Sequence, residues 1–319
     1  MAYSQTALLA TRPRPTRGLT RMLRTLARNG KAMTGLGIVL VFVLLALLAP
    51  VFFPEDPSRI VAGGAAPPSA EHLLGTTAKG QDVLALTLWG ARSSLVVGFV
   101  AGLIATAIAV LVGLAGAYFG GVLDEILGLA TNVFLLIPGL PLLVILAAFL
   151  PPGAGTVITV LAITGWAGGA RILRSQGLSI RGKDYVAASI VTGERPLRIM
   201  LRDILPNMAS IVMSTLLGCV IGSIGAQAGL EFLGLGDPNM ISWGTNLFWA
   251  TNDGSLMLGQ WWIFIPSGLA IALIAFALAL CNYAVDEITN PRLRKPRRAA
   301  SASAPTLVTV DEENEGSAS

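Results

Sequence analysis

Five stretches of the chain carry no Asp, Glu, Lys or Arg and are long enough to cross a bilayer: residues 32–54, 93–123, 126–170, 204–230 and 254–285. A helix needs about 20 consecutive apolar residues to span the hydrocarbon core. The block at 126–170 is too long for one helix and is broken by Pro151-Pro152-Gly153, so it reads as a helical hairpin. Six spans follow, at about 32–53, 94–117, 126–150, 155–173, 208–230 and 261–285. The blocks are continuous in Leu, Ala, Val, Ile and Gly. A membrane β-barrel would need alternating segments of about ten residues. The expected fold class is therefore an all-α polytopic membrane protein with six transmembrane helices. The first apolar run exceeds the 7–15 residue core usual for a cleaved signal peptide, and it reads as a retained helix.

Composition agrees. Apolar residues make up 54% of the 319 residues and charged residues 13%, roughly half the charged share of a soluble protein. Mean hydropathy is +0.71. Such a chain is too apolar to be disordered. Two cysteines are too few for a disulfide scaffold. The net charge of +4 matters through its placement. With six spans, 19 of the 22 basic residues fall on one side, leaving Arg59, Lys79 and Arg92 on the other. The excess of basic residues marks the cytoplasmic side, so both termini are expected there. The basic arm 1–31, with Arg12, Arg14, Arg17, Arg21, Arg24, Arg28 and Lys31, has no aromatic residues between its arginines. It reads as a topology signal touching anionic lipid, not as a nucleic-acid site. The tail 296–319 is rich in Ser and Ala, then acidic, and reads as disordered.

Three loops carry information. Residues 55–92 hold glycines and hydroxyls that suggest compact turns before the second span. Residues 231–260 are aromatic and free of basic residues, suited to a mouth or a partner surface. The loop 174–207 is the most telling. Asp184 is a plausible N-cap, Tyr185 to Thr192 fits about two helical turns, Gly193 suits a C-terminal stop, and Pro196 suits the first turn of the next helix. A short helix held between two spans is suited to docking in a groove of a cytoplasmic partner.

These residues resemble the permease subunits of binding-protein-dependent ABC importers, specifically the second permease of the dipeptide/oligopeptide/nickel group. The family's E-A-A-x-x-x-G motif, followed by L-P, is matched by Ala187-Ala188-Ser189 with Gly193 and by Leu205-Pro206, without a gap. Asn207 also matches. The H-P-L-G-T-x-x-x-G-R-D segment is matched by His72, Gly75-Thr76, Gly80 and Asp82. G-A-R-x-S-L is matched by Gly90-Ala91-Arg92 with Ser94-Leu95, and G-Y-F-G-G-x-x-D by Tyr118 through Asp124. F-L-G-L-G is found from Phe232 to Gly236, S-W-G from Ser242 to Gly244, and a close relative of D-P-R-L-R from Asn290 to Arg294. The matches run in order over residues 70–295. The chain departs at Ala187, where the motif has Glu, at Ser189, at Asp203 and at Gln81. Asp184 and Glu194 are the carboxylates left to replace the missing one.

The resemblance implies a type I ABC importer permease fold spanning 32–295. It implies half of a translocation pathway, for which di- and oligopeptides are the default cargo. The implied partners are a second permease subunit, one or two ABC ATPase subunits and an extracytoplasmic substrate-binding protein. The ATPase-coupling residues would be Asp184, Tyr185, Val186, Ala187, Ala188, Ser189, Gly193, Glu194 and Arg195. The chain contains no G-x-x-x-x-G-K-[ST] phosphate loop, so ATP and Mg belong to the partner ATPases. No cofactor is expected in this chain, and no catalysis. Polar residues within the spans are candidates for the path: Asn132, Ser214, Thr215, Ser223 and Gln227. Gly218-x-x-x-Gly222 reads as a close-packing face, Pro138 and Pro141 as bends in span three. His72 is the single histidine and is expected to pack a turn, since one histidine makes no metal site. Cys219 and Cys281 read as buried thiols.

Two other classes compete. A stand-alone secondary transporter or channel usually carries ionisable groups within its spans, and the uncharged blocks have none. An intramembrane enzyme needs a nucleophile and base, an acidic pair or a metal site at membrane depth, and none is visible.

Overall fold

The computed structural model describes residues 29–289. The six arginines of the basic arm, the Asn290 to Arg294 match and the acidic tail lie outside the described residues. The first long helix, α1 (Gly30–Phe52), begins where the Asn29 side chain accepts a hydrogen bond from the Lys31 amide. Its small residues Ala32, Gly35, Ala46 and Ala49 are buried, while Leu36, Leu40, Leu47 and Val51 are exposed. Water would penalise so much bare apolar surface at about 25 cal/mol per Å²; lipid tails do not.

The second helix, α2 (Val83–Phe119), is 37 residues long, about 55 Å at 1.5 Å per residue. It starts at Val83, well before the expected 94. Arg92 ended the uncharged block, yet it sits exposed on the helix, 5.9 Å from the Trp89 ring. A charge on a solvated extension does not end a helix. Asp82 begins α2 with both oxygens: Oδ1 accepts from the Ala85 amide at 3.0 Å, and Oδ2 lies 2.8 Å from His72 Nδ1. The matched His72, Thr76 and Asp82 thus belong to one compact cap, in which the buried Thr76 hydroxyl donates to Gly64 and accepts from the Ala66 amide. Asp82→Ala is expected to lower stability by about 1–2 kcal/mol, through loss of the cap and of the His72 contact. Thermal unfolding of the purified permease checks it.

Span three departs from a single bent helix. It consists of α3 (Gly121–Leu136) and α4 (Gly139–Ala148), meeting at 89°. Ile137 is extended, as a residue before proline prefers, and Pro138 ends α3. Pro141 makes no bend. It lies in the first turn of α4, where a missing N–H costs nothing. Span four is likewise broken, into α5 (Ala154–Gly165) and α6 (Ala167–Arg181), bent by 41°. It continues past the expected end at 173. Arg171 donates to Asn132 at 2.8 Å, and Arg174 makes two 2.5 Å bonds to Asp124. Partnered cations on one face of α6 therefore extend the helix instead of ending it, and they tie it to α3.

After a short helix α7 (Asp184–Val191) and a four-residue turn α8 (Pro196–Ile199), the chain enters α9 (Ala209–Phe232), then α10 (Trp243–Asn252) and α11 (Trp261–Thr289). Among the described residues, four helical runs are long and apolar enough to cross a membrane, six if each bent pair counts as one span. No named strand occurs among the described residues; two isolated bridges sit in the cap, Ile60 with Gln81 and Thr76 with Asp82.

Helix α2 is the axis of the packing, with α6 and α9 against it. Ala101, Ala105, Ala109 and Ala117 are fully buried, a four-residue ladder of small side chains. Close approach is greatest at Gly102, where an added Cβ would lie 2.7 Å from the Val220 N and Cα, and at Gly98, opposite Ile224. The expected close-packing pair, Gly218 and Gly222, is not one: a Cβ at either position meets nothing within 4 Å. The small face that admits a neighbouring helix belongs to α2; the glycines of α9 look into open space.

Candidate functional site

The first candidate site is α7 and its flanks. Lys183, extended at φ −86° and ψ 145°, occupies the N-cap, and Asp184 is the first helical residue. The expected Asp184 cap is therefore displaced by one position; its carboxylate still lies at the positive end of the helix dipole. The other end closes by backbone. Gly193, at φ +75°, donates to the Ile190 carbonyl at 3.0 Å, and Glu194 donates to Ser189 at 3.2 Å. This is the paired closure that a glycine in the left-handed region permits. Pro196 then opens the next helical run. Pro206 has no N–H to continue the ladder. The chain passes through a widened turn, Met200–Ile204, and a tightened one, Leu205–Met208, and the Asn207 amide donates to the Asp203 carbonyl at 2.7 Å.

One residue anchors α7. Val186 is 0% exposed and joins Ile199, Ile204 and Met208 in the core. The rest of the segment faces outward: Tyr185, Ala187, Ala188 and Ile190 are exposed, and Val191 is 86% exposed; Leu197 and Leu201, further along the chain, are also exposed. Ser189 is half-buried, its hydroxyl on the Tyr185 carbonyl. A shallow groove of about 700 Å³ runs beside it, over Gly193, Glu194, Arg195 and Leu201. Glu194 pairs with Arg198 at 3.1 Å. Asp184 makes no ion pair among the described residues, which leaves it the freer of the two carboxylates.

The second candidate site is a cavity of about 750 Å³ bounded by α4, α5, α6, α9 and α11. Ser214, Thr215 and Ser223 line it, with Gly218 and Gly222 between them. The Ser214 hydroxyl donates to Asp286 Oδ1 at 2.7 Å. The other two path candidates lie elsewhere. Asn132 is bound to Arg171 on the α3 side of α6, and Gln227 is 1% exposed, its amide donating to Glu231 Oε1 at 3.0 Å. Cys219 lines the cavity and Cys281 packs against Gly35; both are half-buried rather than buried.

Glu231 ends an uncharged block, which places it in the expected loop 231–260; the structure places it in a helix instead. It lies inside α9, is 3% exposed, and accepts from Gln227 and from the Ser242 hydroxyl. Ser242 in turn caps α10, reciprocally with Thr245. Trp243 is fully buried against α2: its amide donates to Ser94 and its indole to the Thr87 carbonyl. A Cβ at Gly244 would stand 2.5 Å from Glu231 Oε2, and one at Gly236 2.7 Å from Glu231 Cγ. The F-L-G-L-G and S-W-G pieces thus meet around one carboxylate. An acid directly following an apolar block and followed by two such glycine motifs is the signal in the sequence.

Comparison with known proteins agrees with this arrangement. Residues 98–295 match the model of the binding-protein-dependent transport system inner membrane component, and residues 19–68 match the N-terminal transmembrane domain of oligopeptide transport permease C. A dipeptide transport system permease of Bacillus subtilis is 36% identical over 85% of this chain and 85% of its own length. An oligopeptide transport system permease of the same organism is 33% identical over 84% and 87%. A chain from inward-facing structures of the MetNI methionine ABC transporter superposes with a TM-score of 0.52 at 21% identity, over 66% of this chain and 97% of that one, a likeness of fold. With the match covering most of the helical core, the chain belongs to the family of binding-protein-dependent transport system inner membrane components.

Proposed function

We propose that this permease subunit forms half of a translocation path for di- and oligopeptides in a bacterial inner membrane, with both termini cytoplasmic. A second permease completes the path, and an extracytoplasmic binding protein delivers cargo. Two ATPase subunits drive it, one docking on residues 184–195. The observation that carries the reading is α7 itself: a short helix pinned by buried Val186, closed at Gly193, and presenting Tyr185, Ile190 and Val191 outward. The exposed apolar face fits a groove in a partner, and beyond the turn at Gly193 the chain is helical from Pro196 to Phe232, suited to pass a rigid-body displacement to the cavity wall. Asp184 stands in for the acidic residue that Ala187 lacks. The peptide assignment rests on the names of the two Bacillus subtilis relatives. Ser214, Thr215 and Ser223 line the path in this reading; Asn132 and Gln227 serve packing.

The test is Val191→Asp. Nothing inside the chain depends on that side chain, so insertion and folded yield stay at wild-type level. A charge forced into an apolar contact is expected to lower ATP-driven uptake by tenfold or more, on the order of 2 kcal/mol of lost docking. Wild-type uptake in this variant would remove α7 as the coupling element.

A further inference from the structure

The cavity is electrically one-sided. Asn282 and Asp286 stand one turn apart on α11, so they share a face, and both line the cavity. The neighbouring face of the same helix is committed to α1: Lys31 Nζ lies 4.0 Å from the Tyr283 ring, and Asn29 donates to Glu287 at 3.1 Å. Asp286 is therefore the carboxylate turned toward the cavity, exposed at its rim, with one oxygen taken by Ser214. One turn deeper, Asn282 Oδ1 is buried and has no hydrogen-bond partner among the described residues. Gln176 faces them from α6. Among the described residues no Lys or Arg lines this space. The nearest arginines of α6, Arg171 and Arg174, are bound to Asn132 and Asp124 on its other side.

A carboxylate at the rim of a cavity with apolar walls and no lining cation attracts positive charge. A buried carbonyl oxygen without a donor is costly until one arrives. An ammonium group supplies both needs, with one positive charge and three N–H donors. We infer that Asp286 and Asn282 form a site that receives the protonated amine of the cargo at the end of the path nearest the C-terminus of α11. In a peptide this is the amino terminus. The inference rests on the reading of the cavity as the path, and it adds the part of the cargo that this end selects.

Cys219 lines the same cavity and reports its potential without any cargo. In the full complex carrying Cys281→Ser, Cys219 is reacted with aminoethyl methanethiosulfonate, an ammonium, and with sulfonatoethyl methanethiosulfonate, an anion. The ratio of the two rates is expected to fall by about tenfold in Asp286→Asn and to be restored in Asp286→Glu. A purely structural role for the Ser214 bond does not move that ratio. In the same complex in liposomes, Asp286→Asn is expected to cut tri-alanine turnover by about tenfold without changing its half-saturating concentration. A ratio indifferent to Asp286→Asn overturns the site, and so does unchanged turnover of an imported tri-alanine. A charge-dependent ratio with no tri-alanine import by the wild-type complex sustains the cation site and overturns the peptide reading instead.

Discussion

Gly102→Leu is expected to prevent formation of the native helical core. The helix pair α2 and α9 approaches most closely at this glycine, where a Cβ would lie 2.7 Å from two backbone atoms of Val220. Backbone cannot rotate aside as a side chain does, so the two helices must separate along the Gly98 and Gly102 ladder. Overpacking a core costs about 1–3 kcal/mol even where side chains yield. Here the cost is larger, on the order of 4 kcal/mol, close to the whole stability of a marginal fold. Detergent extracts should show aggregated or degraded protein on size-exclusion chromatography. Gly218→Leu is the matched comparison, since its Cβ has nothing within 4 Å. It should keep a monodisperse peak while narrowing the cavity. Equal behaviour of the two variants would show that the close contact is not where the core is decided.

The second large effect is expected at Glu231. Glu231→Ala leaves the Ser242 hydroxyl and the Gln227 amide without their acceptor and opens a void between Gly236 and Gly244. Each abandoned buried donor costs about 1–3 kcal/mol, so a loss of about 3–5 kcal/mol is expected, concentrated where α10 is fastened to α9. Glu231→Gln keeps the volume and one acceptor oxygen, and about half of the loss should be recovered. Proteolysis of the 233–260 segment and the melting temperature together measure this. If Glu231→Ala melts like wild type and its segment resists protease equally, the carboxylate does not hold α10.

How far the residues alone lead can be argued element by element. Uncharged blocks locate α1, α9 and α11 to within a turn, because there the charges inside the helix lie only in its first or last turn. They mislead wherever a charge is partnered or solvated within a helix. Arg92 rides outside on α2, Arg174 is neutralised by Asp124, and Glu231 is buried on Gln227 and Ser242. Pairing across helices is a tertiary fact that a one-dimensional pattern does not carry. The same limit explains the glycines. Gly98 and Gly102 pack closely and Gly218 and Gly222 do not, though both pairs have the same spacing. The α7 segment is legible because its signals are local: a glycine stop at Gly193, a following proline at Pro196, and the run Ala187-Ala188-Ser189 at its motif spacing. Its one misplaced feature, the cap at Lys183 rather than Asp184, is a shift of one residue. The cavity combined residues from α6, α9 and α11 that no motif connects, so Asn282 and Asp286 went unremarked.

Engagement of an ATPase through α7 is tested most directly at Val191, which is 86% exposed. The direct measurement is a Val191→Cys variant, tagged, cross-linked with a short bifunctional reagent in native membranes, and purified with whatever is attached. The expected result is a cross-link to an ATPase subunit, altered by ATP, in particles that also contain a second permease. Recovery of the chain alone or as a homo-oligomer across several mild detergents, with no ATPase adduct at Val191→Cys, would contradict it.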